Sequence, residues 1–275
     1  MALVKKVCVV AGGSGAIGAD VVRSLYAEGA HLAITYRTAK PQGLCEELSR
    51  GLGRTICYQL DITDWKHVQT VMQQISTDFA GIDVLVNCTG MVGPIGPFET
   101  LDIGEWTRTI ETNFIGSVYL ARAALPFMKE RGRGKIILFS GGGAAYGRPY
   151  FTSYSSSKAA VVRFAESLAQ ELEVANIQVN VIAPGPVRSR MWDEMRAAGQ
   201  AGGPKLLEEL KRMEETGGTS PGRAAGLAVF LASDRSNRLT GRLLSAVWDD
   251  WEHFENHIED IAASEAFTLR RVGLK

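Results

Sequence analysis

From about residue 6 to residue 247 the chain alternates short apolar runs with segments whose apolar residues recur every three or four positions. Runs of buried-strand character occupy residues 6–11 (KVCVVA), 31–36 (HLAITY), 55–60, 84–87, 135–139, 178–182 and 243–247. After the first run, residues 16–28 put Ile17, Val21 and Leu25 at helical spacing, and Gly29 follows as a C-cap. Helical patterns also cover residues 44–52, 65–79, 103–131 and 153–174. Ser220-Pro221 reads as an N-cap with proline at the first helical position, opening a helix to about residue 232. Strands joined by helices pair in parallel, and strands apolar along their whole length need cover on both faces. The expected fold is α/β, a doubly wound parallel sheet of about seven strands with helices on both faces. No repeat, charge block or Pro-rich linker interrupts the alternation, so residues 1–275 are expected to form a single domain. Two segments stand outside it: a helical insertion at about 188–218 and a C-terminal extension at 248–275.

Composition narrows the function classes. Hydrophobic residues make up 45% of the chain, enough for a large core, and Lys+Arg (30) equal Asp+Glu (30). Without a basic excess there is no electrostatic footprint for nucleic acid. No apolar stretch reaches the ~18 residues of a membrane span, and the N-terminal run is too short for a signal peptide. A cytoplasmic protein with no membrane partner is expected. The four cysteines (Cys8, Cys45, Cys57, Cys88) show no CxxC or zinc spacing and are expected as reduced core residues. Glycine is abundant, at 30 residues. That points to tight turns or to backbone lying against a ligand.

The glycines concentrate where the first strand meets the first helix, in Ala11-Gly12-Gly13-Ser14-Gly15-Ala16-Ile17-Gly18. Glycine lets backbone N–H groups approach a pyrophosphate, and the helix N-terminus adds partial positive charge. The spacing Gly12-x-x-x-Ala16-x-Gly18 resembles the TGxxxGxG turn of the short-chain dehydrogenase/reductase family, with Ala11 for Thr and Ala16 for the middle Gly. Further matches follow in order. They are Asp61 in YQLDIT, Asn87 and Gly90 in VNCTG, Asn113 in ETNFIG, Tyr154-Ser155-Ser156-Ser157-Lys158 as YxxxK, and Asn180 with Pro184-Gly185 in NVIAPGPV. The resemblance runs from about residue 5 to 247 and implies a Rossmann-type fold, a nicotinamide cofactor and a small-molecule carbonyl or alcohol substrate. It implies cofactor contacts from Gly12, Ser14, Gly15, Ile17, Gly18, Asp61, Ile62, Asn87, Gly90, Tyr154, Lys158, Pro184, Gly185, Val187 and Ser189. It also implies a homodimer or homotetramer.

Tyr154 and Lys158 are four residues apart and so share one helix face. Free tyrosine, with a pKa near 10, is a poor base; bringing it to ~7 needs roughly 4 kcal/mol of preferential phenolate stabilisation. The family resemblance implies that the Lys158 ammonium and an oxidised nicotinamide supply this, with Lys158 also on the nicotinamide ribose and Asn113 holding a water of the proton relay. The family's catalytic serine lies thirteen residues before the tyrosine, which lands on Gly141; Ser140 is one residue early and is the candidate if the glycine-rich segment bulges. The second strand ends in Thr35-Tyr36-Arg37, without the carboxylate that would bond a ribose 2′-hydroxyl. Arg37 can instead pair with a 2′-phosphate, so NADP(H) is the expected cofactor and NAD(H) the other candidate.

The expected function is NADP(H)-dependent interconversion of a carbonyl and a secondary alcohol, with Tyr154 as general acid/base. The alternative is a catalytically weak dinucleotide-binding sensor or subunit. In the insertion, Met191, Trp192, Met195, Leu206, Leu207 and Met213 would make an apolar, adaptable cover over substrate or pack on the core. In the extension, Trp251, Phe254, Ile258 and Ile261 mark one apolar helix face. It is expected to pack over the active-site rim or a neighbouring subunit, with Trp248 or Trp251 shaping the pocket; docking on the outer surface is the alternative. His253 and His257 lack further ligands, so no metal is expected.

Overall fold

Seven parallel strands form one sheet: β1 (Val7–Ala11), β2 (His31–Tyr36), β3 (Thr55–Gln59), β4 (Val84–Asn87), β5 (Gly134–Phe139), β6 (Ile177–Ala183) and β7 (Leu243–Ser245), in the order β3-β2-β1-β4-β5-β6-β7. The structure is a computed structural model and describes residues 1–48 and 53–273. At Ala11, β1 faces Thr35 on one side and Asn87 on the other. The winding reverses between β1 and β4. Successive connections therefore leave on opposite sides there, and a crevice opens beyond the strand carboxyl ends.

Alternation of side chains along each strand divides the core. Val7, Val9 and Ala11 point into one layer with α3 (Trp65–Phe79), α5 (Gly116–Glu130) and α6 (Thr152–Glu171). Cys8 and Val10 point into the other, with α1 (Ala16–Ala27), α2 (Gln42–Leu48) and α9 (Pro221–Ala232). Both faces of β1 are thus dry, as its unbroken apolar sequence requires. The helix ends follow local chemistry. The Asp64 side chain accepts from His67 N at the start of α3, and Ala80 closes it in the left-handed conformation. Of the helix expected over 44–52, residues 49–52 lie outside the described residues. The helical stretch expected over 103–131 is divided. α4 (Ile103–Ile110) passes through a π-helical turn, Glu111–Ile115, before α5 begins. Such one-residue widenings re-aim side chains, and this one carries Asn113.

The insertion forms α7 (Arg190–Ala198) and α8 (Gly203–Thr216). The extension is not one continuous helix: Trp251–Asn256 is a 3₁₀ segment, followed by the short α10 (Ile258–Ala262). Trp251, Phe254, Ile258 and Ile261 are buried as expected, but in the α1/α9 layer. Trp251 lies against Gly226 and Phe230 and donates its indole N–H to the Ala246 carbonyl. Further on, Phe267 O accepts from Leu243 N, and Leu269 N donates to the buried Glu166 carboxylate. The extension therefore straps the open edge of β7, which would otherwise present unpaired backbone groups. The outer-surface alternative holds within this chain. Trp251 is buried in the α1/α9 layer and not in the cluster around Tyr154, so it does not shape a pocket there, while Trp248 is 74% exposed.

The cysteines also depart from expectation. Cys45 on α2 and Cys57 on β3 form a disulfide, while Cys8 and Cys88 are free. The pairing is invisible in the spacing because it depends on α2 packing back against β3.

Candidate functional site

The crevice is built first from the glycine turn. Gly12 has φ +73°, and a Cβ on Gly18 would lie 2.1 Å from Gly12 O, so the turn closes against α1 only if residue 18 has no side chain. Gly15 is the N-cap of α1 and brings no side-chain acceptor to it. The first-turn N–H groups are thereby left to an anion. Ser14 and Gly15 are exposed beside them, and Ile17 is half-buried. Asp61 and Ile62 follow β3, with Ile62 buried. Burial alone would raise the Asp61 carboxyl, but two hydrogen bonds from Thr63 and the charges of Arg37 and His67 hold it below the usual range. Arg37, exposed after β2, thus stands close enough to Asp61 to act on it.

Asn87 ends β4 and is tied down on both sides, donating to Ser117 Oγ and accepting from Thr89 N. On the far side of the crevice, Pro184 and Val187 are buried, Gly185 has φ +78°, and Ser189 is the N-cap of α7. Asn180 does not face this loop. Its amide is spent on Leu239 O and Arg242 N, holding the β6–β7 connection.

Tyr154 and Lys158 lie together on α6, both buried, with Lys158 Nζ 5.8 Å from the tyrosine ring centre. Lys158 Nζ donates to Phe139 O at 3.0 Å. A Cβ on Gly90 would come within 3.3 Å of Lys158 Nζ and 3.4 Å of Asn113 Oδ1. The bare Gly90 backbone keeps this corner open, as a ribose and nicotinamide would need. Gly90, Lys158 and Asn113 thus leave a corner that fits such a group. Asn113 accepts from Met91 N and donates to Met91 O and Ser157 Oγ, each at 2.9 Å. Its side chain thus fixes the segment beside Gly90 to α6, through a serine whose hydroxyl donates to Tyr154 O. Ser157 is a participant that spacing did not single out. Burial pushes the Tyr154 phenol up to about 12, opposed by the Arg148 charge, and pushes the Lys158 ammonium down to about 8.

At the serine position the geometry is specific. A Cβ on Gly141 would sit 2.1 Å from the Tyr154 hydroxyl oxygen. Residue 141 therefore faces the phenol, and its lack of a side chain is what lets the hydroxyl lie there. Ser140 Oγ is buried with no hydrogen-bond partner, so it makes no bond to Tyr154. The insertion closes over this centre: Tyr154 clusters with Val92, Phe151, Trp192, Leu206, Leu210 and Met213, with Met191 and Met195 packed alongside. Leu207 faces outward. Arg148, which no sequence motif marked, lies under this cover. Among the described residues no group of three or more His, Cys, Asp or Glu is placed to hold a metal, and no helix is long and apolar enough to cross a membrane.

Comparison with known proteins agrees with this architecture. Residues 6–200 match the family model described as short chain dehydrogenase. The chain is similar to cis-4-hydroxycyclohexanecarboxylate dehydrogenase of Sinomonas cyclohexanicum, 30% identical over 248 residues that cover 89% of this chain and 96% of the relative. Among solved structures, a variant of actinorhodin polyketide ketoreductase with NADPH superposes with a TM-score of 0.80 at 23% identity, covering 88% of this chain and 97% of that one. NAD⁺-bound xylitol dehydrogenase superposes with a TM-score of 0.79 at 23% identity, covering 89% and 98%. At these identities the two structures speak for the fold.

Proposed function

The chain belongs to the short-chain dehydrogenase family, and from that premise we propose that it is an NADP(H)-dependent oxidoreductase interconverting a carbonyl and a secondary alcohol. The observation that carries this is the buried Tyr154–Lys158 pair opening on the corner that Gly90 leaves bare. A nicotinamide bound there supplies or takes up the hydride. Gly12, Ser14, Gly15, Ile17 and Gly18 receive the pyrophosphate; Asp61, Ile62, Asn87 and Gly90 line the adenosine and ribose path; Pro184, Gly185, Val187 and Ser189 flank the nicotinamide. Tyr154 gives its phenolic proton to the carbonyl oxygen in reduction and takes it back in oxidation. With burial raising its pKa, the phenol is protonated at neutral pH, the state that donates. Lys158 holds positive charge beside the phenolate that forms, while Asn113 keeps the wall in register through Met91 and Ser157.

Arg37 supports NADP(H): it is an exposed cation at the end of β2 with no acidic residue in its place. The two cofactor-bound structures that superpose carry one cofactor each, NAD⁺ and NADPH, and favour neither. Initial-rate kinetics with both cofactors test the assignment. A higher kcat/KM with NADPH, reversed or levelled by Arg37→Asp, is expected; a preference for NADH indifferent to that change refutes it. The glycine at 141 favours a second reading, a dinucleotide-binding protein with weak turnover, because the residue that faces the phenol carries no hydroxyl to share the substrate oxygen. Cofactor oxidation over a carbonyl panel separates the two. Turnover that falls about 10²–10⁴-fold in Tyr154→Phe supports the enzyme, and equal background rates in both proteins support the binder.

A further inference from the structure

Resting on the oxidoreductase reading above, we propose that Arg148 anchors a carboxylate carried by the substrate, and that Glu209 of α8 occupies this anchor as an internal stand-in. The Arg148 side chain is only 9% exposed, and its guanidinium lies 4.0 Å from the Phe151 ring centre. Nη2 is 3.9 Å from Met195 Sδ and pairs with the Glu209 carboxylate. Nη1 would be 3.3 Å from a Cβ on Gly142, next to the residue that faces Tyr154. The cation thus lies between the loop after β5 and the two insertion helices, and its charge reaches the Tyr154 phenol.

A buried guanidinium needs an anion, and the fold brings one from α8, across the site. Glu209 itself is 34% exposed, so water can replace Arg148 as its partner at small cost. Arg148 has no such replacement. A neutral substrate would leave the pair in place, whereas a carboxylate can replace the single Glu209 contact with the planar, two-pronged pairing a guanidinium offers and release α8. The loss of a serine at 141 gives this handle a purpose. With no donor there to share the carbonyl oxygen, a distant ionic contact can orient the substrate instead. The ligand class is therefore an apolar carbonyl compound or alcohol bearing a carboxylate.

Titration calorimetry on the full chain saturated with cofactor, using cyclohexanecarboxylate and cyclohexanecarboxamide as probes, tests the anchor. The carboxylate is expected to bind about 10- to 100-fold more tightly than the amide. Arg148→Met should bring the ratio near one, and Glu209→Gln should tighten carboxylate binding by removing its competitor. Equal binding of the two probes, no carboxylate binding at millimolar concentration, or a ratio that survives in Arg148→Met overturns the anchor. Unchanged or weakened carboxylate binding in Glu209→Gln overturns the stand-in. Should Arg148→Met fail to fold, the wild-type ratio and Glu209→Gln decide. Failure of the oxidoreductase reading shows separately, as carboxylate binding without NADPH or NADH consumption on 4-oxocyclohexanecarboxylate.

Discussion

Gly141→Ala places a methyl group where the Tyr154 hydroxyl now lies. Its Cβ would be 2.1 Å from the oxygen and 3.0 Å from Cζ. A tolerable carbon–oxygen contact is roughly 3.3 Å, so the hydroxyl must retreat by roughly 1 Å. The ring has little room to do so, being packed against Phe151, Trp192, Leu206, Leu210 and Met213. Overpacking of this kind costs about 1–3 kcal/mol, which lowers Tm by about 2–4 °C per kcal/mol in a chain of this size. A displacement of ~1 Å at the proton donor should also cost about 10²-fold in kcat. Serine brings the same Cβ, so Gly141→Ser is expected to impair the protein rather than restore a donor. Thermal and urea denaturation of wild type, Gly141→Ala, Tyr154→Phe and the double variant isolate the contact. Tyr154→Phe removes the nearest atom, so the alanine penalty should shrink markedly in its background. An alanine variant as stable as wild type, or a penalty of equal size with and without the hydroxyl, refutes the argument.

The strap over β7 predicts opposite outcomes for two tryptophans: Trp251→Ala should lose about 3–5 kcal/mol and exposed Trp248→Ala less than about 0.5 kcal/mol, read by urea denaturation. Burial, reinforced by the charge of Lys6, pushes the Lys135 amine down to about 7 from 10.5, against the pull of Asp234. Between those values the unfolded chain holds a proton the fold has released, so wild-type stability rises with pH relative to Lys135→Met. Denaturation of both from neutral to alkaline pH should show the difference shifting in favour of wild type, and a flat difference counts against it. Alkylation in denaturant without reductant should label two cysteines, Cys8 and Cys88, and four after reduction. Four labelled thiols without reductant would remove the Cys45–Cys57 bond.

Most of what positions the site was legible because it is local. Apolar spacing over a few residues marks β2 and α3 at their observed ends, since backbone hydrogen bonding and burial impose periods of two and 3.6 on neighbouring residues. The glycine turn was readable for the same reason: Gly12 and Gly18 meet within one strand–turn–helix unit. Tyr154 and Lys158 share a face through nothing more than helical geometry. The π turn at Asn113 was not readable, because a single extra residue in a helical turn leaves the apolar pattern of residues 103–131 nearly unchanged.

Pattern determined the α/β order, and pattern together with family resemblance singled out the glycine-rich turn and the tyrosine–lysine pair. Packing between distant segments decided the rest. Whether Ser140 or Gly141 faces the phenol depends on how the loop after β5 meets α6, and one residue of phase exchanges a donor for bare backbone. Arg148 and Glu209 are 61 residues apart and become partners only when α8 folds over the site. The stripe from Trp251 to Ile261 announces that a face must be buried, but many faces can accept it. The uncovered edge of β7 and the apolar surface of α9 selected this one. An apolar side chain encodes the need for a partner, while the partner itself is chosen by the geometry of the whole sheet.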